Sequence, residues 1–174
     1  MKRVLLAVVA AVFLLGACGD DGDGGDSGSS SASETSVATI KASLLDDEGG
    51  FALSEDDAQC VAENVASTLG DERVEAIDWD SSDVVFERDE AEQIADDFGD
   101  CVELPTLFVQ SLLADEDVAD SSRDCLSDEL DDGDVKELFV IGFSGDADGF
   151  EEAFAPVDEA LQSCLSAEEY ESIS

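Results

Sequence analysis

Beyond residue 50 the apolar side chains recur at spacings of three and four. Ala58, Val61, Ala62, Val65 and Leu69 form one stripe, and Ala91, Ile94, Ala95, Phe98, Cys101 and Val102 a second. Phe150, Ala153, Phe154, Val157, Ala160, Leu161, Cys164 and Leu165 form a third. An α-helix turns once every 3.6 residues, so each stripe lies along one face and predicts an amphipathic helix with that face turned inward. Ser54, with Asp57 three positions on, resembles a capping box in which Asp57 replaces the usual Glu, and it marks the start of the first helix. Pro156 falls within the third stripe, where its missing N–H and its ring predict an irregularity or kink. Residues 104–113 are more continuously apolar, through Leu107, Phe108, Val109, Leu112 and Leu113, and predict the most buried helix, with Pro105 near its start. Residues 138–141 fit a buried helix or a short strand, and comparison with residues 74–77 favours helix. Val84, Val85 and Phe86 fit either. Gly70, Gly133 and Gly142 stand where helices should stop. The expected architecture is all-α, a small bundle of five to seven helices.

The cysteines add an internal order. Cys60 and Cys101 are 41 residues apart, and Cys125 and Cys164 are 39 apart. Cys60 and Cys125 are each followed by an apolar residue at +1 (Val61, Leu126) and another at +5 (Val65, Leu130), then by Gly-Asp and a second amphipathic stretch. Cys101 and Cys164 each have apolar residues seven and three positions before them (Ile94 and Phe98; Val157 and Leu161). Two weakly similar halves, residues 52–115 and 116–170, account for this as a duplicated, cysteine-bearing helical hairpin. Four cysteines allow three pairings. An antiparallel hairpin brings the start of its first helix beside the end of its second, which favours Cys60–Cys101 with Cys125–Cys164. The set Cys101–Cys125 with Cys60–Cys164 also closes, through a turn near Leu113. No C-x-x-C spacing exists for a structural zinc or a redox pair, so two disulfides are the expectation.

The first 17 residues follow another pattern. Lys2 and Arg3 precede the almost wholly apolar residues 4–17. That run is shorter than the roughly 20 residues that span a bilayer, and it suits a signal peptide. It closes on Leu15-Gly16-Ala17-Cys18, which resembles the lipobox of bacterial lipoproteins. The resemblance implies cleavage between Ala17 and Cys18, attachment of a diacylglycerol to the Cys18 sulfur with palmitate among its acyl chains, and anchoring of an exported domain to the cell membrane or outer envelope. Gly19 follows the cysteine, so the Asp-type inner-membrane retention signal is missing. The rest of the chain is similar in style to small acidic helical lipoproteins of exported bacterial proteomes, a likeness that implies no activity.

Residues 19–34, GDDGDGGDSGSSSASE, carry nothing whose burial could repay the entropy of ordering them. Residues 36–45 fit a short helix or more of the same leash. The expected organisation is a signal peptide over 1–17, a lipidated Cys18 with a flexible acidic tether over 18–50, and a disulfide-stapled domain over 51–174.

Charge narrows the partners. The chain holds 46 acidic and seven basic residues and no histidine, for a formal net charge of −39. Without residues 1–17, five cations remain (Lys41, Arg73, Arg88, Arg123, Lys136) against the same 46 acids, a net charge of −41. Such a surface repels nucleic acid and anionic headgroups, and it attracts basic proteins and cations. It also suits solubility and adaptation to salt.

Catalytic chemistry finds little support. The absence of histidine removes Ser-His-Asp and Cys-His catalysis and the commonest base at neutral pH. No P-loop, G-x-S-x-G or G-x-G-x-x-G is present, and no catalytic residue, cofactor or metal site is assigned. Residues 144–149 come closest to an EF-hand loop but place Ser144 at position 1 and Ala155 at position 12. Asp131, Asp132 and Asp134, or Asp146 and Asp148, are the nearest approach to an irregular calcium site, and turns or helix caps explain them more simply. Trp79, between Asp78 and Asp80, reads as a half-buried packing residue. The expected function is that of a non-enzymatic, membrane-anchored surface lipoprotein that binds a partner or organises the envelope. The alternative is a calcium- or small-ligand-binding module.

Overall fold

The computed structural model describes residues 32–45, 53–79, 84–114 and 116–173. The expected signal peptide, Cys18 and most of the tether lie outside the described residues. Among the described residues the chain is helical and contains no strand. The elements are α1 (Glu34–Leu44), α2 (Glu55–Leu69), α3 (Asp71–Ala76), α4 (Arg88–Gly99), α5 (Leu104–Leu112), α6 (Asp120–Glu129), α7 (Asp132–Ser144), α8 (Phe150–Ala153), α9 (Ala155–Cys164) and α10 (Ala167–Ile173). Seven of these have nine residues or more; α3, α8 and α10 are shorter.

The stripes become the core. Ala58, Val61, Ala62 and Val65 of α2 are buried, as are Ala91, Ile94, Ala95 and Phe98 of α4 and Val157, Ala160 and Leu161 of α9. Ser54 starts α2 as expected: its Oγ accepts the Asp57 N–H at 3.1 Å and donates to Asp57 Oδ2 at 2.7 Å. The third stripe is interrupted at Phe154, and Pro156 enters α9 in its first turn, where a helix has no need of that N–H. Residues 138–141 are helical within α7.

Both disulfides join the favoured partners, Cys60 to Cys101 and Cys125 to Cys164, with Cα–Cα distances of 5.8 and 5.7 Å. Cys60 is the sixth residue of α2 and Cys125 the sixth of α6, while Cys101 and Cys164 lie at or just past the ends of α4 and α9. The halves diverge after their first helix, since α3 has six residues and α7 thirteen. The most extensive packing is between α4 and α7, which couples one half to the other. The ring of Phe98 lies there 5.8 Å from Phe139 and 5.6 Å from Phe143.

Three expectations need correction. The folded unit begins before residue 51: α1 lies within the expected tether yet packs on α2, with Ile40 2% and Ser36 3% exposed. Val37, Ile40 and Leu44 fall on one face of α1, and Ser33 caps it by accepting the Ser36 N–H at 3.1 Å. Gly70 does end α2, at a φ of 75°, but Gly133 lies in the first turn of α7 and Gly142 inside it. The residue that ends α7 is Gly145, at a φ of 66°, where a Cβ would sit 2.8 Å from a methyl of Val85. Residues 104–113 form the deeply buried helix expected, with Leu104, Pro105, Leu107, Val109 and Leu113 buried and Phe108 and Leu112 half-buried. Helix α7 adds Val135, Leu138, Phe139, Val140 and Ile141 to the same core. Finally, Val84 to Phe86 is neither helix nor strand but an arm laid on α7, with the Phe86 N–H donating to the Phe143 carbonyl at 2.9 Å and Val85 58% exposed.

Candidate functional site

The strongest local concentration of chemistry is a cleft of about 530 Å³ between the end of α4 and the start of α7. Asp96, Asp100, Glu103 and Asp132 line it with Cys101 and Lys136. The Lys136 Nζ donates to Asp96 Oδ1 at 2.5 Å and so links α7 to α4 across the cleft. The Cys101 sulfur accepts the Asn64 amide at 3.3 Å and is already bonded to Cys60, so it offers no thiolate nucleophile. With carboxylates in the majority, the cleft favours positive charge.

Most of the other cations are likewise paired with groups of the chain. Arg73 forms a two-point pair with Glu90, both contacts at 3.1 Å, and this guanidinium holds the Glu90 carboxyl below its ordinary range. Arg88 reaches Glu137 at 2.5 Å, Glu92 at 3.5 Å and Asp146 at 3.6 Å, joining α4, α7 and the loop that follows α7. Arg123 donates to the carbonyls of Leu113 at 2.7 Å, Glu116 at 2.9 Å and Val118 at 3.3 Å, and so closes the connection from α5 to α6. Lys41 lies in the last turn of α1, where positive charge complements the helix dipole. Four of the five cations outside residues 1–17 are thereby committed within the fold, which leaves a surface dominated by carboxylates.

The acidic residues singled out in the sequence have local duties. Asp131 caps α7 by accepting the Gly133 N–H at 2.8 Å, and Asp132 and Asp134 are exposed in the first turn of that helix. Asp146 accepts the Asp148 N–H at 3.2 Å in a turn. Among the described residues no group of three His, Cys, Asp or Glu side chains is placed to hold a metal ion. Trp79 is half-buried, and its indole N–H donates to the Val74 carbonyl at 2.8 Å.

Three carboxylates escaped the sequence reading. Asp71 accepts the Ser33 N–H at 2.9 Å and the Ser36 hydroxyl at 2.6 Å, so a residue of α3 holds the start of α1. Glu169 plays the same part for α6 from α10, and the Ser-x-x-Glu signature at Ser166 could have revealed its local role. Asp97 had no such signal. Its Oδ2 is buried without a hydrogen-bond partner among the described residues. Burial pushes its carboxyl above the ordinary value, opposed by the Thr68 hydroxyl and reinforced by Asp100 and Asp96.

Asp97→Asn is therefore expected to stabilise the domain at neutral pH. A carboxyl with a raised folded value binds protons more tightly when folded. Its stabilising effect is complete below the unfolded value of 3.8 and is lost as pH rises through the folded value. The advantage of the amide should therefore grow across that window and level off above it, read as the difference in thermal midpoint between the two proteins at each pH. A variant less stable at pH 7 would mean that the carboxylate is satisfied.

No protein-family model, no curated protein and no solved structure matches the chain. What fold and surface define is a class: a twice-stapled all-α domain most of whose cations are paired with its own carboxylates and carbonyls.

Proposed function

We propose that the protein is a non-enzymatic lipoprotein, exported and anchored to the membrane through lipid on Cys18, whose helical domain docks a basic protein partner at the cell envelope. The observation that carries the docking role is the pairing of Arg73, Arg88, Arg123 and Lys136 with groups of the chain itself, which leaves an excess of unpaired carboxylates to meet solvent and partners. Long-range attraction by such a surface speeds encounter with a positive partner and is weakened by salt. The lipobox-like Leu15-Gly16-Ala17-Cys18 supports the anchor, and disulfides suit an oxidising compartment.

Two measurements test the two parts. Produced in a bacterial host, the full chain should partition into the detergent phase and take up labelled palmitate, and Cys18→Ala should abolish the uptake. Uptake that survives the substitution would refute the anchor. For docking, a lysine-rich peptide should bind the domain with an affinity that falls steeply between about 0.05 and 0.5 M salt, since the Debye length shrinks below 10 Å across that range. Absence of binding at the low-salt end would refute the docking role. In the same buffers, sodium and calcium at equal ionic strength should raise the thermal midpoint alike. A saturable rise specific to calcium would establish a divalent-cation module instead.

A further inference from the structure

Helices α8 and α10 are the two without a fully buried residue. The first runs on into α9, whereas α10 follows a break at Leu165 and Ser166 and brings only the half-buried Tyr170 and Ile173 to the apolar core. Its position depends on a carboxylate. Glu169 Oε2 accepts the Ser166 N–H at 2.8 Å, and Ser166 Oγ accepts the Glu169 N–H at 3.3 Å, which makes a complete capping box for α10. The other oxygen, Oε1, accepts the Ala119 N–H at 2.9 Å and the hydroxyl of Ser122, itself 8% exposed, at 3.3 Å.

Ala119 is the N-cap residue of α6 and has no side-chain acceptor, so Glu169 supplies from α10 what a capping-box glutamate supplies within its own helix. One carboxylate thus sits between the N-terminal ends of two helices, where both dipoles favour its charge. Tyr170 adds a hydrogen bond from its hydroxyl to Asp158 at 3.0 Å on α9.

We infer that α10 is a detachable strap, latched by Glu169 to the start of α6, which opens as a unit while the disulfide-closed body of the domain stays folded. Elements open locally with free energies set by what they bury, and α10 buries little. The body is tied by Cys60–Cys101 and Cys125–Cys164, neither of which includes α10. Opening exposes the Ala119 N–H and the Ser122 hydroxyl three residues from the Cys125 bridge. The two segments must therefore lose protection together although they are 50 residues apart in sequence.

Amide hydrogen exchange of the intact, oxidised chain at pH 7 tests this. In the unsubstituted protein, peptides covering 167–173 and 119–123 should exchange faster than those of α2, α4 and α7. Glu169→Gln should speed exchange in both segments by about tenfold or more, because charge-assisted bonds are replaced by weaker neutral ones, and leave the three body helices unchanged. Tyr170→Phe, which removes the hydroxyl bonded to Asp158 and leaves the Glu169 contacts in place, should speed 167–173 and spare 119–123. If 167–173 exchanges as slowly as α4 in the unsubstituted chain, α10 is part of the body and the inference fails. It fails equally if Glu169→Gln speeds exchange everywhere or nowhere. The first comparison needs no variant, so a substituted chain that does not fold leaves the test standing.

Discussion

Replacing Cys60 and Cys101 together by alanine is expected to lower the free energy of unfolding by about 4 kcal/mol, and the same change at Cys125 and Cys164 by nearly as much. Each bridge closes a loop of about 40 residues, at sequence separations of 41 and 39, so loop-closure entropy assigns the two almost equal effects. The consequence is severe in this chain. A domain of this size has only about 5–15 kcal/mol in total, and a net charge of −41 outside residues 1–17 works against compaction at low salt. Denaturant titration of the two double variants, each against the parent, provides the check. With all four cysteines replaced, the domain should be unfolded in dilute buffer and should refold in part as salt is added. A loss under about 1 kcal/mol for either pair would show that constraint of the unfolded chain is not what the bridges supply.

Phe98→Ala should cost a comparable amount, about 4 kcal/mol, by a different route. Phe98 is 3% exposed and packs from α4 against the rings of Phe139 and Phe143 on α7, so its removal opens a cavity at the seam between the two halves. Phe98→Leu, which retains most of the volume, should lose less than half as much. Val85→Ala, at a side chain 58% exposed, should stay within about 0.5 kcal/mol and serves as the control. Urea titrations of the three variants decide the order. If Phe98→Ala and Phe98→Leu proved equal, the seam would have collapsed to fill the space, and the aromatic cluster would matter less than its geometry implies.

The reading of α1 shows where sequence reasoning stops. Its apolar residues Val37, Ile40 and Leu44 have helical spacing, but a helix of eleven residues is marginal alone. Nothing within residues 34–44 says that Asp71 will receive the Ser33 N–H and the Ser36 hydroxyl. The glycines teach the same lesson from the backbone. Gly133, Gly142 and Gly145 look alike as residues, yet Gly133 and Gly142 continue a helix and Gly145, with a φ of 66°, stops one. What sets Gly145 apart in the fold is its left-handed backbone and the arm at Val85, laid beside it by the Phe86 contact to Phe143, which leaves no room for a Cβ.

The candidate site was less legible still. Each of the 46 acids is interchangeable with the others in sequence, and burial alone distinguishes Asp97 from its exposed neighbours Asp96 and Asp100. Glu169 advertised a local capping box with Ser166, but its second duty at Ala119 spans 50 positions.

By itself the sequence determined the helical class and the long amphipathic helices, and it favoured the pairing of cysteines within each half over the one alternative that also closes. These follow from periodicity and from separations of 41 and 39 residues, which are properties of neighbours along the chain. It also determined the excess of negative charge and the absence of imidazole chemistry, which depend on composition alone. Only the tertiary structure decided that α1 belongs to the domain, which cysteines pair, that Arg73 meets Glu90 and Arg88 meets Glu137, and that Glu169 holds two helix ends at once. Each of those outcomes depends on which distant groups share a desolvated contact, and the energy of such a contact appears only when both partners are in place.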